Sequence, residues 1–228
     1  MRIALGSAFR NSAGNVTQYI SRVCALREIL GPDNDLRLIA GEGDSVDHTR
    51  AELHVQAVAK NIPIEFVECS HGQRIFGSTE EPDRLAALSG VFNAVLGGVR
   101  LSDDLFLYVE QDLRWEPAAL NKLLIAALEC ESDMDIFAPM VMAGQHFYDT
   151  WAYRLNGDRF SPFYPYHRDL DGKSILEVDS IGSCAAMRAD VARATRVRDG
   201  NAFVGWCAEA RRLGYRIAVL SDSIVRQA

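Results

Sequence analysis

The sequence lacks closely spaced cysteine pairs. Its five cysteines, Cys24, Cys69, Cys130, Cys184 and Cys207, form an odd set without a C-x-x-C spacing. That argues against a zinc ribbon or a disulfide-stapled scaffold and fits a chain kept reduced in the cytoplasm. No apolar stretch is long enough to span a membrane, and the segment 1–10 is too short for a secretion-signal core. The expectation is therefore a cytoplasmic protein without a transmembrane segment and with at most peripheral membrane contact, so the Asn15-Val16-Thr17 sequon reads as a chance match. Basic residues are in deficit: 24 Lys and Arg against 31 Asp and Glu leave a net charge of −7 with histidine neutral. A nucleic-acid partner is disfavoured, because phosphate binding wants a basic face. Three short motifs are also missing: G-x-G-x-x-G after the first strand, G-x-x-x-x-G-K-[ST], and G-x-S-x-G. Dinucleotide oxidoreductases, P-loop enzymes and the common serine hydrolases lose ground accordingly.

What is present is an ordinary globular composition, 48% hydrophobic and 24% charged over 228 residues, enough for one large α/β domain with a full core. Apolar strand patterns at 3–9, 36–40, 64–69, 105–109, 136–142 and 216–220 alternate with helical spacing at 16–30, 50–60, 81–99, 117–128 and 202–213. Residues 70–79 are turn-rich, 147–166 are aromatic and broken by Pro and Gly, and 175–187 contain a strand. Strands alternating with helices predict a mainly parallel sheet flanked by helices, with the site on loops at one sheet edge.

The stretch most charged with chemistry is Leu105-Phe106-Leu107-Tyr108-Val109-Glu110-Gln111-Asp112, an apolar strand that ends in two carboxylates one residue apart. Residues i and i+2 of a strand point the same way, so Glu110 and Asp112 can converge on one hard divalent cation, Mn2+ or Mg2+, that in turn holds a diphosphate. Acidic pairs at strand ends are also common as solvated loop starts, and the local pattern does not decide between the two. Glu42 and Asp44 follow the second strand, where a carboxylate can accept from a nucleobase N–H or simply serve a Gly/Asp/Ser turn.

Read together, these pieces resemble one family. Glu42-Gly43-Asp44-Ser45-Val46-Asp47-His48-Thr49 resembles the D-D-G-S-x-D-x-T loop of the GT-A nucleotide-sugar glycosyltransferases, and Glu110-Gln111-Asp112 resembles their D-x-D metal motif. Residues 178–191 resemble the acceptor-side segment of that fold, and 210–217 its late helix-turn-strand. Phe147-Tyr148-Asp149-Thr150-Trp151 resembles the Y-D-T-W stretch of the fungal capsule-associated mannosyltransferases and their bacterial relatives.

The resemblance implies a single GT-A, Rossmann-like domain over 1–228, with 1–112 binding the nucleotide sugar and 113–228 facing the acceptor. It implies a metal-dependent hexosyl transfer, retaining and from GDP-mannose, to a glycan or other hydroxyl acceptor. Arg10, Glu42, Asp44 and Arg84 would then contact the nucleotide, and Glu110 and Asp112 the metal, while Asp149 or Asp179 would orient the attacking hydroxyl. The chain departs from the pattern twice. Residues 202–207 lack the Glu-Asp base of inverting members, and Gln227 stands where many members carry a metal-binding His. A sugar-1-phosphate nucleotidyltransferase is a second reading, although the loop after the first strand lacks the Gly-rich, basic character it would want. A catalytically silent nucleotide- or glycan-binding module is a third. His146 beside Asp149, Arg154, and the Tyr148–Trp151 aromatic pair are weaker candidates with ordinary surface or core explanations.

Overall fold

The computed structural model describes residues 1–72, 74, 76 and 80–227. The first half alternates strictly: β1 (Arg2–Phe9), α1 (Ala13–Leu30), β2 (Asp35–Glu42), α2 (Thr49–Ala59), β3 (Ile64–Glu68), α3 (Pro82–Gly97), β4 (Leu105–Val109). The second half is less regular: β5 (Leu113–Trp115), α4 (Pro117–Glu129), β6 (Ile136–Ala143), β7 (His146–Phe147), β8 (Arg154–Leu155), β9 (Asp158–Arg159), β10 (Ile175–Glu177), β11 (Cys184–Arg188), α5 (Ala189–Ala194), α6 (Ala202–Arg212) and β12 (Ile217–Gln227).

Local chemistry explains the main elements. In α1 the buried residues Val16, Tyr19, Ile20, Val23 and Leu26 recur at helical spacing, and the helix stops at Gly31 with φ of 81°. Both α3 and α4 begin on a proline, whose missing N–H is one of the donors a helix start leaves unpaired anyway. β4 is buried along its whole length, which is why it reads as an unbroken apolar run.

Among the described residues the strands join in the order β10-β12-β6-β11-β4-β1-β2-β3, with β5 added to β12 and β7 to β6. β1, β2, β3 and β4 are mutually parallel, whereas β11 runs antiparallel between β4 and β6. Strand order reverses direction between β1 and β4. That is the switch point at which loops on the carboxyl edge diverge and leave a crevice. α1 packs with α2 and α4, while α3 packs with α5 and α6. Below the crevice, Phe92 of α3 meets Tyr108 of β4 edge-on at 4.8 Å, Phe203 of α6 at 5.1 Å and Trp206 of α6 at 5.2 Å. Trp206 is pinned by its N–H to the Thr195 hydroxyl at 2.9 Å. These rings clamp two helices onto the strand that carries Glu110, so the site has a rigid base.

The structure departs from the sequence reading in four places. The strand read at 216–220 extends to Gln227, because a register shift between Leu220 and Ile224 accommodates the polar Ser221-Asp222-Ser223 without ending the ladder. The single strand read in 175–187 is two, β10 on β12 and β11 between β4 and β6. β5 and α5, three and six residues long, are too short for a periodic signal. The 147–166 segment is largely irregular, as expected, apart from β7 and a two-stranded β8–β9 ladder. Part of the turn-rich 70–79 segment lies outside the described residues.

Candidate active site at the carboxyl edge of the sheet

The loops after β1 and β2 are stitched into one surface. The Asn11 N–H donates to the Ser45 hydroxyl at 3.1 Å, and the Val46 N–H donates back to the Asn11 side chain at 2.8 Å. The Ser12 N–H donates to the Thr49 hydroxyl at 2.6 Å, and the Ala13 N–H to the Asp47 carboxylate at 3.1 Å. Partial burial alone would raise the Asp47 carboxyl, but the bonds from Thr49 and Ala13 outweigh it and hold it below its usual value. Gly43 lets β2's exit press on the next loop: a Cβ there would lie 2.5 Å from the Cys69 carbonyl carbon and 2.6 Å from the Ser70 nitrogen.

Between these loops and the end of β4 lies a cleft of about 250 Å3. Phe9, Cys69, Leu88 and Val91 form part of its apolar wall, and Arg10, Asp44, Arg84, Glu110, Gln111 and Asp112 bring polar groups to it. Five of the residues expected from sequence to hold a nucleotide or metal thus meet in one cavity. Asp44 reaches it because its φ of 58° turns the chain out of β2; its carboxylate takes the His71 N–H.

Glu42 does not line the cleft. Strand alternation turns it to the opposite side from Gly41 and Gly43, where it is 3% exposed and takes an Arg50 guanidinium contact at 3.4 Å. Arg50 also holds Glu68 at 2.9 Å, so Glu42 belongs to an ion-pair network between β2, α2 and β3.

The acidic end of the cleft is electrostatically crowded. Burial raises the Glu110 carboxyl well above its usual range, Asp112 and Asp149 raise it further, and Arg84 opposes them. Asp149 is pushed up to about 6, first by burial and then, weakly, by Asp112, against a hydrogen bond from Ser183 that pulls it down. The Ser183 hydroxyl donates to Asp149 at 2.5 Å, and the Glu110 N–H donates to the Ser183 carbonyl at 2.9 Å, so the start of β11 ties the two carboxylates to one frame. Gly182 permits this, since a Cβ there would run into the Asp149 carboxylate. Ser183 was invisible in the sequence because its partners lie far away in the chain.

Gln227 returns to the same place. Its side-chain amide donates to the Asp112 carboxylate at 2.9 Å, with β12 paired to β5 immediately after Asp112. Asp179 is held elsewhere, by Arg211 at 2.8 Å and by the Gly157 N–H at 3.0 Å, where it braces the β8–β9 ladder against α6. The structure therefore brings Asp149 to the acidic cluster and does not bring Asp179 to the cleft. His146 is exposed against Phe163, and Arg154 lies over Trp151; neither lines the cleft.

Among the described residues, no group of three or more His, Cys, Asp or Glu side chains is arranged as a closed metal cage. Two carboxylates beside an amide oxygen still suit a hard cation of the kind that takes one or two protein carboxylates and completes its shell with phosphate and water. The setting of Glu110 fits such an ion, because a cation would offset both the burial that chiefly raises that carboxyl and the repulsion from Asp112 and Asp149.

No protein-family model matches the sequence, and no curated protein matches it. Solved structures do. A mannosyltransferase, PcManGT from Pyrobaculum calidifontis in complex with GDP-Man and Mn2+, superposes with a TM-score of 0.64 at 14% identity, over 100% of this chain and 56% of that one. The fold is the GT-A fold. S. aureus TarS 1-349 in complex with UDP gives a TM-score of 0.60 at 13% identity over 99% of this chain and 60% of that one. Glucosyl-3-phosphoglycerate synthase from Mycobacterium tuberculosis, with Mg2+ and UDP, gives 0.51 at 13% over 100% and 71%. This chain thus spans a little over half the length of the first two GT-A proteins. The loops that leave β1, β2, β3 and β4, neighbours in the order β3-β2-β1-β4, line the cleft together with α3.

Proposed function

We propose that the protein is a glycosyltransferase that moves a hexosyl unit from a nucleoside-diphosphate sugar to a hydroxyl of a glycan or similar acceptor. The observation that carries this reading is the meeting of Arg10, Arg84, Glu110 and Asp112 in one cleft at the switch point of the sheet. Two guanidinium groups opposite two carboxylates suit a diphosphate bridged to the acidic pair by Mn2+ or Mg2+. Bound there, the ion would offset the charge that builds on the leaving diphosphate. Glu110 and Asp112 would hold it, with the Gln227 side-chain N–H fixing the Asp112 carboxylate and its amide oxygen available as a further donor. Asp44 lies across the apolar wall from this end, in place to accept from the nucleobase.

In the transfer the bond from the sugar's anomeric carbon to the diphosphate breaks, a bond to the acceptor oxygen forms, and the acceptor loses its proton. Asp149 would orient that hydroxyl: its carboxyl, lifted to about 6, is ionised at neutral pH yet basic enough to take a proton. The likeness to a GDP-Man complex and the Tyr148-Asp149-Thr150-Trp151 stretch favour GDP-mannose and a retaining course. On this reading 1–112 forms the donor half and 113–228 the acceptor half of a single cytoplasmic domain.

The test is release of nucleoside diphosphate from a panel of GDP- and UDP-sugars in the presence of Mn2+. Turnover of one donor, abolished by chelator, is the expected result. No release from any donor, or release that Asp112→Asn leaves untouched, refutes the assignment.

A further inference from the structure

A second cavity, of about 450 Å3, opens where β6 and β12 meet the irregular segment 160–174. Its floor is apolar. Met140 and Met142, one pleat apart on β6, share a face with Ile224, which lies opposite Met140 in the β6–β12 ladder. Tyr164, Pro165 and Tyr166 form one wall, with Tyr164 73% exposed and its ring edge-on to Tyr166 at 5.9 Å. The rim is polar, made of Asp171, Lys173, Ser174 and Ser221. The Tyr164 hydroxyl donates to the Asp171 carboxylate at 2.8 Å, which sets the acid at the edge of the ring.

We propose that this cavity is a distal subsite for an oligosaccharide acceptor, holding one sugar unit of a chain whose reacting end lies beside Asp149; the proposal rests on the glycosyl-transfer reading above. A pyranose has an apolar C–H face and a belt of hydroxyls. An exposed tyrosine ring matches the first, and a carboxylate, an ammonium and two serine hydroxyls match the second. A lipid chain or apolar peptide would fill the floor and make no use of the charged rim that Asp171 and Lys173 form. A phosphate group would meet Asp171 as a like charge.

Position supplies the second argument. Met142 on the cavity floor pairs with Phe147 in the β6–β7 ladder, and Asp149 follows Phe147 by two residues, at most about 7 Å along an extended chain. One sugar ring does not reach from the cavity to the acidic cluster. A short oligosaccharide does. The protein would therefore read acceptor length, binding an oligomer through two separated contacts and a monomer through one.

Saturation-transfer NMR and calorimetry with mannotetraose, maltotetraose and chitotetraose, each beside its monosaccharide, test this on the full chain. At least one tetrasaccharide is expected to bind roughly tenfold tighter than its monosaccharide. Tyr164→Ala and Asp171→Asn are each expected to weaken the tetrasaccharide roughly three- to tenfold. Tyr164→Phe keeps the ring and is expected to retain most of the binding, which separates loss of the platform from loss of fold. Absence of binding by all three tetrasaccharides, equal affinities for parent and Tyr164→Ala, or Tyr164-dependent binding to anionic phosphatidylserine vesicles in place of glycan would overturn the proposal. Tetrasaccharide binding that persists when no nucleotide sugar turns over supports the cavity while removing the donor reading; normal turnover with no length preference removes the cavity alone.

Discussion

Replacing Asp112 by Asn separates function from stability with a sign that can be worked out in advance. Asp112 and Glu110 flank Gln111 in the turn that follows β4, closed by the Leu113 N–H on the Glu110 carbonyl at 3.2 Å, which keeps them on the order of 6–7 Å apart. Two like charges at that distance repel by about 2.5 kcal/mol at an effective dielectric of 20. Solvent reaches Asp112, and screening there reduces this to about 1 kcal/mol. The amide keeps the shape and keeps an oxygen for the Gln227 N–H. Without ligand the variant is therefore expected to melt about 2–4 °C higher than the parent. Turnover is expected to move the other way, by about 10²- to 10³-fold, the scale on which loss of one preorganised electrostatic partner acts. Scanning calorimetry without nucleotide and diphosphate release with Mn2+ measure the two effects. A variant that keeps turnover within a factor of two, or that melts lower by several degrees, would refute the assignment of this carboxylate to an ion-binding role for which the fold has no other use.

Asp149→Asn tests the acceptor-side carboxylate through pH. Because its folded-state carboxyl is raised from 3.8 to about 6, the fold retains a proton that the unfolded chain releases, so the stability it contributes is full below about pH 4 and is lost as pH rises through about 6. The Asn variant should match the parent near pH 4 and be more stable at pH 8 by about 1–3 kcal/mol, while the parent's kcat rises through about pH 6 and the variant's does not. A parent kcat that is flat from pH 5 to 8 would count against the base assignment. Gly43→Ala places a methyl against the Cys69–Ser70 backbone, which no rotamer change relieves, and should cost about 1–3 kcal/mol in denaturant unfolding together with weaker donor binding. Asp44→Ala should raise the KM for the donor, whereas Glu42→Gln, altering a pair that faces α2, should lower the melting temperature and leave that KM unchanged; steady-state kinetics on both variants decide which acid faces the nucleotide.

The first half of the chain was legible because its elements are long and their patterns are pure. β4 is apolar at every position since both of its faces are covered, and α1 shows an uninterrupted buried stripe. The second half was legible only in outline. β12 contains a polar Ser-Asp-Ser at its bulge, where the pattern stops although the ladder goes on, and β10 and β11 are separated by a loop whose apolar residues blur two strands into one. Short elements that owe their existence to a neighbour, such as β5 on β12, leave no periodic trace.

The same distinction runs through the site. Glu110 and Asp112 were readable because an apolar strand that stops at Val109 marks the carboxyl edge of the sheet; it is the turn after β4, closed by the Leu113 N–H on the Glu110 carbonyl, and not strand alternation, that brings the pair together. Glu42 and Asp44 have the same spacing, yet only Asp44 reaches the cleft, because β2 ends at Glu42 and a left-handed residue then redirects the chain. Spacing is informative only while the backbone stays regular. Asp149 and Asp179 were equivalent on paper, and what separates them is the company each keeps: a serine hydroxyl and two acids for the first, an arginine and a turn N–H for the second. Asp179 pairs with a full positive charge at 2.8 Å, whereas burial lifts Asp149 against the hydrogen bonds from Ser183 and Ala152. Gln227 lies between these cases, since its distance in sequence from Asp112 hides the contact while the strand that carries it makes the contact unavoidable once β12 is followed past its bulge.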